Sequence, residues 1–229
     1  MRRRLKVCCM MALEEARAAV AAGAAVAAGA DAVGLVGAMP SGPGPIDDEL
    51  AAQIAASVPP PVASFLLTSF STGQAIAAHV RKVGASAVQI VRHIEPREYA
   101  ALRRALHGVK IVQVVHVVDA SAIGLARDYA KLADALLLDS GRPSASVQEL
   151  GGTGRAHDWD VSARIVAGVG VPVFLAGGLH AGNVGEAVRA VRPFGVDLCS
   201  GVRTDGRLDA GKLRAFVTAL NGPPASGRP

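Results

Sequence analysis

Aromatic, charged and cysteine side chains are all scarce in this sequence of 229 residues. Aromatic residues make up 3% of the chain, which argues against a surface on which nucleic-acid bases stack. Charged residues make up 19% and hydrophobic residues 51%, and this balance excludes a disordered acidic or basic chain. The formal net charge of +5 comes from dispersed basic residues. It favours a solvated basic surface or an anionic substrate, and we expect no nucleic-acid partner.

The three cysteines, Cys8, Cys9 and Cys199, are too few for a disulfide framework. A reducing, cytoplasmic setting is therefore expected. No group of Cys and His residues has the spacing of a zinc site, so we predict no metal. The longest apolar stretch, residues 16–30, contains Arg17 and consists mostly of Ala and Gly. A membrane-spanning helix needs about 20 strongly apolar residues, so no association with a membrane is expected.

Short apolar runs alternate with longer stretches rich in Ala, Leu, Arg and Glu. The runs lack polar alternation, which is typical of strands buried on both faces of a parallel sheet. Eight strand–helix units predict an α/β protein with a single closed (β/α)8 TIM barrel; the alternative is an open doubly wound sheet of about five or six strands. We predict strands over 5–8, 32–36, 62–67, 87–91, 110–115, 135–138, 171–175 and 196–199, and helices over 12–28, 47–57, 72–83, 96–106, 120–132, 159–168, 182–191 and 209–220.

The predicted barrel domain covers residues 1–220, and the tail 221–229, rich in Gly and Pro, is predicted to be disordered. Residues 19–24 and 25–30 repeat one hexapeptide, Ala-Val-Ala-Ala-Gly-Ala. Six residues are not a whole number of helical turns. The second copy therefore either extends the helix at its C-terminus without consequence or introduces a bulge near Gly23 and Gly29.

Two side chains suit proton transfer at the C-terminal ends of the predicted strands, where the active site of such a barrel lies. Asp139 follows an apolar run and would be a general acid with a raised pKa, or else a helix or turn cap. Cys8 ends the first strand and would be a thiolate base, or else a small buried hydrophobic residue.

Glycine-rich turns follow the last three predicted strands. They are Gly151-Gly152-Thr153-Gly154, Gly177-Gly178 and Ser200-Gly201. Glycine lets backbone amides converge on a phosphate, and the loops after the seventh and eighth strands are the usual phosphate site of these barrels. The three turns together predict a small phosphorylated substrate, with plain turn chemistry as the alternative.

The motifs at these positions resemble those of the phosphoribosylanthranilate isomerase family. Lys6-Val7-Cys8 is similar to that family's opening Lys-Ile-Cys-Gly, and Leu138-Asp139-Ser140 to its sixth-strand motif. Residues 172–184 are similar to Pro-Val-x-Leu-Ala-Gly-Gly-Leu-x-x-x-Asn-Val, and residues 195–202 to the eighth-strand pattern. The likeness covers nearly the whole chain and is densest in its second half.

This resemblance implies an intramolecular oxidoreductase, an aldose–ketose isomerase that performs an Amadori rearrangement in tryptophan biosynthesis. Asp139 would protonate the furanose oxygen of a phosphoribosyl-amine, and Cys8 would remove the proton from C2 of the sugar. The product would be a 1-amino-1-deoxy-ketose phosphate, formed without any cofactor. We expect a monomer or a homodimer.

The end of the site that would hold the aglycone departs from the family pattern. The family has Ser-Pro-Arg after the second strand, and its arginine pairs with the anthranilate carboxylate; here the stretch is Ser41-Gly42-Pro43. Cys9 stands where the family has glycine, and Arg203 where it has glutamate. We assign Arg92, Asp197 and Arg203 to the aglycone and ribose side, with either arginine replacing the lost one. The alternatives are a paralogue acting on another phosphoribosyl-amine in specialised metabolism and a non-catalytic sugar-phosphate-binding barrel.

Overall fold

Eight parallel strands pair in sequence order, and the last pairs with the first to close a barrel. This is a computed structural model, and it describes residues 3–21, 29–40, 42–141 and 158–222. Within these ranges a helix follows each strand along the chain. The predicted (β/α)8 barrel is confirmed, and the open sheet is excluded because the first strand has neighbours on both sides.

The eight barrel strands alternate with eight helices along the described chain. The barrel strands are β1 (Arg4–Val7), β2 (Ala32–Val36), β3 (Ala63–Thr68), β4 (Ala87–Ile90), β5 (Lys110–His116), β6 (Ala135–Asp139), β7 (Val173–Leu175) and β8 (Gly195–Leu198). The helices are α1 (Leu13–Ala21), α2 (Asp48–Ser57), α3 (Gly73–Val83), α4 (Pro96–Ala105), α5 (Ala122–Tyr129), α6 (Trp159–Gly168), α7 (Val184–Val191) and α8 (Ala210–Asn221). After β8 come a short 3-10 turn (Ser200–Val202) and a small hairpin of β9 (Arg203–Thr204) and β10 (Arg207–Leu208).

The observed boundaries differ from the predicted ones for local reasons. Strand β7 begins after Pro172, which has no N–H for a strand ladder but whose carbonyl oxygen accepts from Leu136. Helix α8 includes Asn221, one residue beyond the predicted domain end, and Gly222 ends it with a positive φ of 73°. Residues 22–28, which hold most of the hexapeptide repeat, and the tail 223–229 lie outside the described residues.

Each barrel strand has two buried faces. One face packs against the helices and the other faces the barrel interior, and each contributes to its own apolar layer. On β1, Leu5 and Val7 pack outward against the helices, while Lys6 and the following Cys8 point into the barrel. The interior layer is small and mostly apolar, with Phe65 and Phe174 in edge-to-face contact at 6.0 Å between ring centroids. Because both strand faces are buried, the strand sequences show no polar alternation.

No helix within the described ranges is both long enough and apolar enough to span a membrane.

Gly195 tests the packing of the barrel interior. A Cβ atom there would lie 2.7 Å from the ring of Phe174 and 2.8 Å from the carbonyl oxygen of Arg4. We expect Gly195→Ala to lower the free energy of unfolding by about 1–3 kcal/mol, the usual cost of overpacking.

Gly124→Ala in α5 is the matched control, because nothing lies within 4 Å of a Cβ atom at that position. There alanine is expected to stabilise the helix by about 0.5–1 kcal/mol. Urea unfolding of both variants measures the difference, and a Gly195→Ala variant as stable as the parent would contradict this packing.

Candidate active site

A cavity of about 740 Å³, counted with its open mouth, lies at the C-terminal end of the barrel strands. Its lining includes six of the predicted site residues: Cys8, Asp139, Gly177, Gly178, Asp197 and Ser200. Among the other predicted residues, Gly201, Arg92 and Arg203 do not line it. The predicted phosphate turn Gly151–Gly154 lies outside the described residues.

Asp139 is the last residue of β6 and is buried at the cavity wall. Burial raises the pKa of its carboxyl group. The N–H of Ser140, which donates to Asp139 Oδ1 at 2.8 Å, and the charge of Lys6 act in the opposite direction but do not offset the burial. A carboxylic acid that keeps its proton to higher pH suits the role of general acid.

A buried ion pair lies inside the barrel, between directly paired residues of β1 and β8. Lys6 Nζ lies 2.9 Å from Asp197 Oδ1, with neither side chain appreciably exposed. Burial alone would lower the pKa of Lys6, yet the charge of Asp197 holds it above its usual range. Burial raises the pKa of Asp197, against the attraction of Lys6. The pair therefore keeps an ammonium group inside a barrel that is otherwise mostly apolar.

Cys8 and Lys6 share space that Gly34 leaves open on β2. A Cβ atom at Gly34 would lie 2.6 Å from Cys8 Sγ and 3.1 Å from Lys6 Nζ. The negative charge of a Cys8 thiolate is among the causes that keep Lys6 protonated. The thiol that lines the cavity is thus accompanied by a fixed positive charge.

The loop after β7 has the backbone conformation of an anion-binding turn. Gly177 and Gly178 have positive φ values of 85° and 64°. Their N–H groups donate to no other backbone group among the described residues. Asn183 holds the loop, since its Nδ2 donates to the carbonyl oxygen of Gly178 at 2.9 Å and its Oδ1 accepts from the N–H of His180 at 2.8 Å. Consecutive free amides of this kind form concave sites for phosphate.

Gly201 brings the loops after β7 and β8 into contact. A Cβ atom at Gly201 would lie 2.1 Å from the carbonyl oxygen of Leu179, so only glycine fits there without a backbone shift. Ser200, by contrast, lines the cavity. Within the predicted Ser200-Gly201 turn, one residue therefore faces the cavity and the other packs the two loops together.

The two arginines predicted on the aglycone side have different environments. The guanidinium group of Arg203 is held by Glu15 and by the carbonyl oxygens of Cys9 and Gly206, and its side chain is 7% exposed. Arg92 follows β4 and is partly exposed, and its buried Nε has no hydrogen-bond partner among the described residues.

Gln89 is a polar cavity residue that the sequence analysis did not single out as a site residue. It lies on β4, is 3% exposed and lines the cavity, and its Oε1 has no hydrogen-bond partner within the described part of the chain. Its signal in the sequence is a glutamine two residues after the inward-facing Ala87, since alternate strand residues share a face.

All three cysteines line the cavity. Cys9 has a positive φ of 64°, a conformation that favours glycine, and its Cβ would lie 2.6 Å from a Cβ at Gly44. Hydrogen bonds with the Cys199 and Cys8 thiols raise the pKa of Cys9. A hydrogen bond with Cys9 lowers the pKa of Cys199, and the charge of Arg203 adds to that effect.

The family model for N-(5'phosphoribosyl)anthranilate (PRA) isomerase matches residues 12–219. The N-(5'-phosphoribosyl)anthranilate isomerase of Methanocella arvoryzae is 37% identical over 215 residues, which is 93% of this chain and 96% of that protein. The enzyme of the same name from Haloferax volcanii is 41% identical over 195 residues, 84% of each chain.

Solved structures that superpose on this barrel are also of phosphoribosyl anthranilate isomerases. The phosphoribosyl anthranilate isomerase of Thermus thermophilus superposes with a TM-score of 0.78 at 28% identity, covering 95% of this chain and 98% of that one. Another structure is a phosphoribosyl anthranilate isomerase in complex with reduced 1-(o-carboxyphenylamino)-1-deoxyribulose 5-phosphate. It has a TM-score of 0.75 at 26% identity and covers 96% of this chain and 98% of that one.

The raised pKa of Asp139 has a measurable effect on stability. Its value in the folded protein lies above that of the unfolded chain, about 3.9. The contribution of this group to stability is therefore fully present below about pH 4 and is lost as the pH rises through the folded-state pKa. We expect Asp139→Asn to gain stability relative to the parent as the pH is raised from about 4 to about 8.

Chemical unfolding at several pH values measures this difference. Asp128→Asn is the control, because the Asp128 side chain is 73% exposed and pairs only with Lys131 at the surface. A difference between Asp139→Asn and the parent that stays constant over this pH range would show that Asp139 is ionised throughout.

Proposed function

The chain belongs to the N-(5'-phosphoribosyl)anthranilate isomerase family, and from this membership we propose how its residues perform the reaction. The activity is the Amadori rearrangement of a phosphoribosyl-amine in tryptophan biosynthesis, and the substrate is a small phosphorylated molecule. Cys8 and Asp139 carry the chemistry. The observation that supports this most directly is that a thiol and a buried carboxyl group with a raised pKa line the same cavity.

Asp139 acts as the general acid in this proposal. Its proton goes to the furanose ring oxygen, the C1–O bond breaks, and the nitrogen lone pair forms the C1=N bond of an open-chain iminium ion. The burial that raises the pKa of Asp139 lets the carboxyl group keep its proton to higher pH, as a general acid requires. The protein itself supplies the proton for this step, so no charged group from the surface is required.

Cys8 acts as the general base in the second step. Its thiolate takes the proton from C2, the electron pair forms the C1=C2 bond, and the iminium nitrogen becomes a neutral amine. The resulting enaminol then tautomerises to the 1-amino-2-ketose. The ammonium of Lys6 lies beside Cys8 in the barrel interior.

The phosphate is bound by the loops after β7 and β8. Gly177 and Gly178 supply backbone N–H groups, and Ser200 lines the cavity next to them. Gly151, Gly152, Thr153 and Gly154, which lie outside the described residues, remain predicted phosphate-binding residues. Gly201 contributes indirectly, because its lack of a side chain lets the two loops meet.

The aglycone carboxylate requires a cation, and among the described residues that line the cavity none is basic. Arg203 is held by other groups, so we assign this role to Arg92, which directly follows the cavity residue Val91 and whose Nε is unpartnered among the described residues. Asp197 and Gln89 line the cavity on the ribose side. A barrel that only binds a sugar phosphate would need neither Cys8 nor Asp139, so we prefer the isomerase to this alternative.

The setting we propose is the cytoplasm, with the protein as a monomer or a homodimer. A thiolate base and two neighbouring free thiols need a reducing compartment to stay reduced.

The acid and base roles predict a loss of turnover in two variants. Loss of phosphoribosylanthranilate fluorescence on adding the purified protein measures the activity. Asp139→Asn and Cys8→Ser are each expected to lower kcat by about 10²- to 10⁴-fold, the usual contribution of a positioned acid or base. Variants with parent-like circular dichroism and parent-like turnover would rule out these roles.

The carboxylate role of Arg92 predicts an effect on binding. Arg92→Met is expected to raise KM about ten- to a hundredfold with little change in kcat, as for loss of a charge-assisted contact of about 1.5–3 kcal/mol. Arg97→Met is the control, since the Arg97 side chain is 84% exposed on α4. An unchanged KM for Arg92→Met would mean that another residue binds the aglycone, or that the aglycone carries no carboxylate.

A further inference from the structure

Arg203 and Glu15 form a nearly buried ion pair beside the active-site cavity. Arg203 Nη1 donates to Glu15 Oε1 at 3.1 Å, and Arg203 Nη2 donates to Glu15 Oε2 at 3.0 Å. The two side chains are 7% and 13% exposed. This two-pronged geometry matches a planar guanidinium group to a carboxylate and fixes the orientation of both.

Glu15 anchors this pair to two separate segments. Its Oε1 accepts from the N–H of Leu208 in β10 at 2.9 Å, and its Oε2 accepts from the N–H of Met11 at 3.1 Å. Accordingly, its pKa is lowered by the hydrogen bonds from Arg203, Leu208 and Met11, although burial acts against them. The ion pair therefore ties the loop between β1 and α1 to the hairpin that follows β8.

The same guanidinium group also holds the residue next to the proposed base. Arg203 Nη2 donates to the carbonyl oxygen of Cys9, and Nη1 donates to that of Gly206 at 2.7 Å. Cys9 needs such support because its φ of 64° is a left-handed conformation that a residue with a Cβ rarely adopts. A strained residue of this kind persists only where surrounding contacts hold it.

We propose that Arg203, oriented by Glu15, is a positioning residue that holds the Cys8–Cys9 turn so that the Cys8 sulfur faces C2 of the substrate. The inference rests on the proposed role of Cys8 as the base. Arg203 itself touches neither the substrate nor the reacting atoms. Arg203, which the sequence assigned to the aglycone side, thus has a different task in this proposal. Its contacts with Glu15 and Cys9 define that task.

Loss of this support is expected to slow the proton transfer without weakening binding. A displacement of about 1 Å at a reacting group costs on the order of 10²-fold in rate. We therefore expect Arg203→Gln to lower kcat about 100-fold with KM changed less than about threefold. Arg203→Lys keeps the charge but not the planar fork, and it should restore only part of the rate.

A second substitution separates positioning from a general loss of structure. Glycine adopts a positive φ without strain, so Cys9→Gly should hold the turn in the absence of Arg203. The double variant Arg203→Gln/Cys9→Gly is expected to recover at least about tenfold in kcat over Arg203→Gln alone. Arg103→Gln is the matched control. Arg103 forms an ion pair with Asp134, with 2.6 Å between Nη1 and Oδ2, and neither residue lines the cavity. This variant should leave kcat and KM unchanged.

The outcomes are distinct. A parent-like kcat in folded Arg203→Gln, or a loss of kcat that Cys9→Gly does not relieve, overturns the proposal. If Arg203→Gln does not fold, Glu15→Gln takes its place with the same expected rescue by Cys9→Gly. That variant keeps a side-chain oxygen for the N–H of Leu208 and removes the charge that orients Arg203.

Alkylation of Cys8 by iodoacetamide gives a readout that does not need turnover. Cys8 is 6% exposed, so release of the turn should speed its alkylation at least threefold in Arg203→Gln and not in Arg103→Gln. Peptide fragmentation in a mass spectrometer distinguishes Cys8 from Cys9. If the parent protein shows no turnover, the proposed role of Cys8 as the base fails. Faster alkylation of Cys8 in Arg203→Gln then still supports the positioning of the turn by Arg203, whereas an unchanged alkylation rate overturns it.

Discussion

The buried ion pair of Lys6 and Asp197 is the contact on which the chemistry of the cavity depends. It joins two directly paired residues of the first and last strands inside the barrel, with 2.9 Å between Nζ and Oδ1. Removing one member of such a pair typically costs about 3–5 kcal/mol, because it leaves an uncompensated buried charge. Each member of the ion pair also lies close to one of the two residues proposed as base and acid. Lys6 lies beside Cys8, and Asp197 lies close enough to Asp139 for the two carboxyl charges to repel.

This arrangement accounts for how one small cavity can hold an acid and a base. The interior is mostly apolar, so burial favours the neutral form of Asp139. The ammonium group of Lys6 lies beside the thiol of Cys8, the residue proposed as the base. The two groups proposed as acid and base thus have different surroundings, an arrangement that recurs in acid–base enzymes. In the proposal, the loops after β7 and β8 supply the other end of the site, where the phosphate would bind.

The barrel, and the position of Cys8 and Asp139 at one cavity, were predictable from the sequence because both depend on local patterns. Uninterrupted apolar runs predict strands buried on both faces, and Asp139 and Cys8 stand where two such runs end. The contacts of Arg203 were not predictable, because its partners Glu15 and Cys9 lie 188 and 194 residues away. Closure of the barrel brings them together. Gln89 was recognisable in principle as a polar residue at an inward position, but only after the strand register is known.

Pairing of the first strand with the last has a consequence for the order in which the protein is made. During synthesis β1 leaves the ribosome early, with Lys6 and Cys8, whereas Asp197 and Arg203 follow almost the whole barrel later. Until β8 docks, Lys6 lacks its carboxylate and the Cys8–Cys9 turn lacks its support. An incomplete chain therefore has an open sheet with a lysine that resists burial. Docking of β8 completes the barrel and the proposed proton-transfer site in a single event, so a partly synthesised barrel is expected to be inactive.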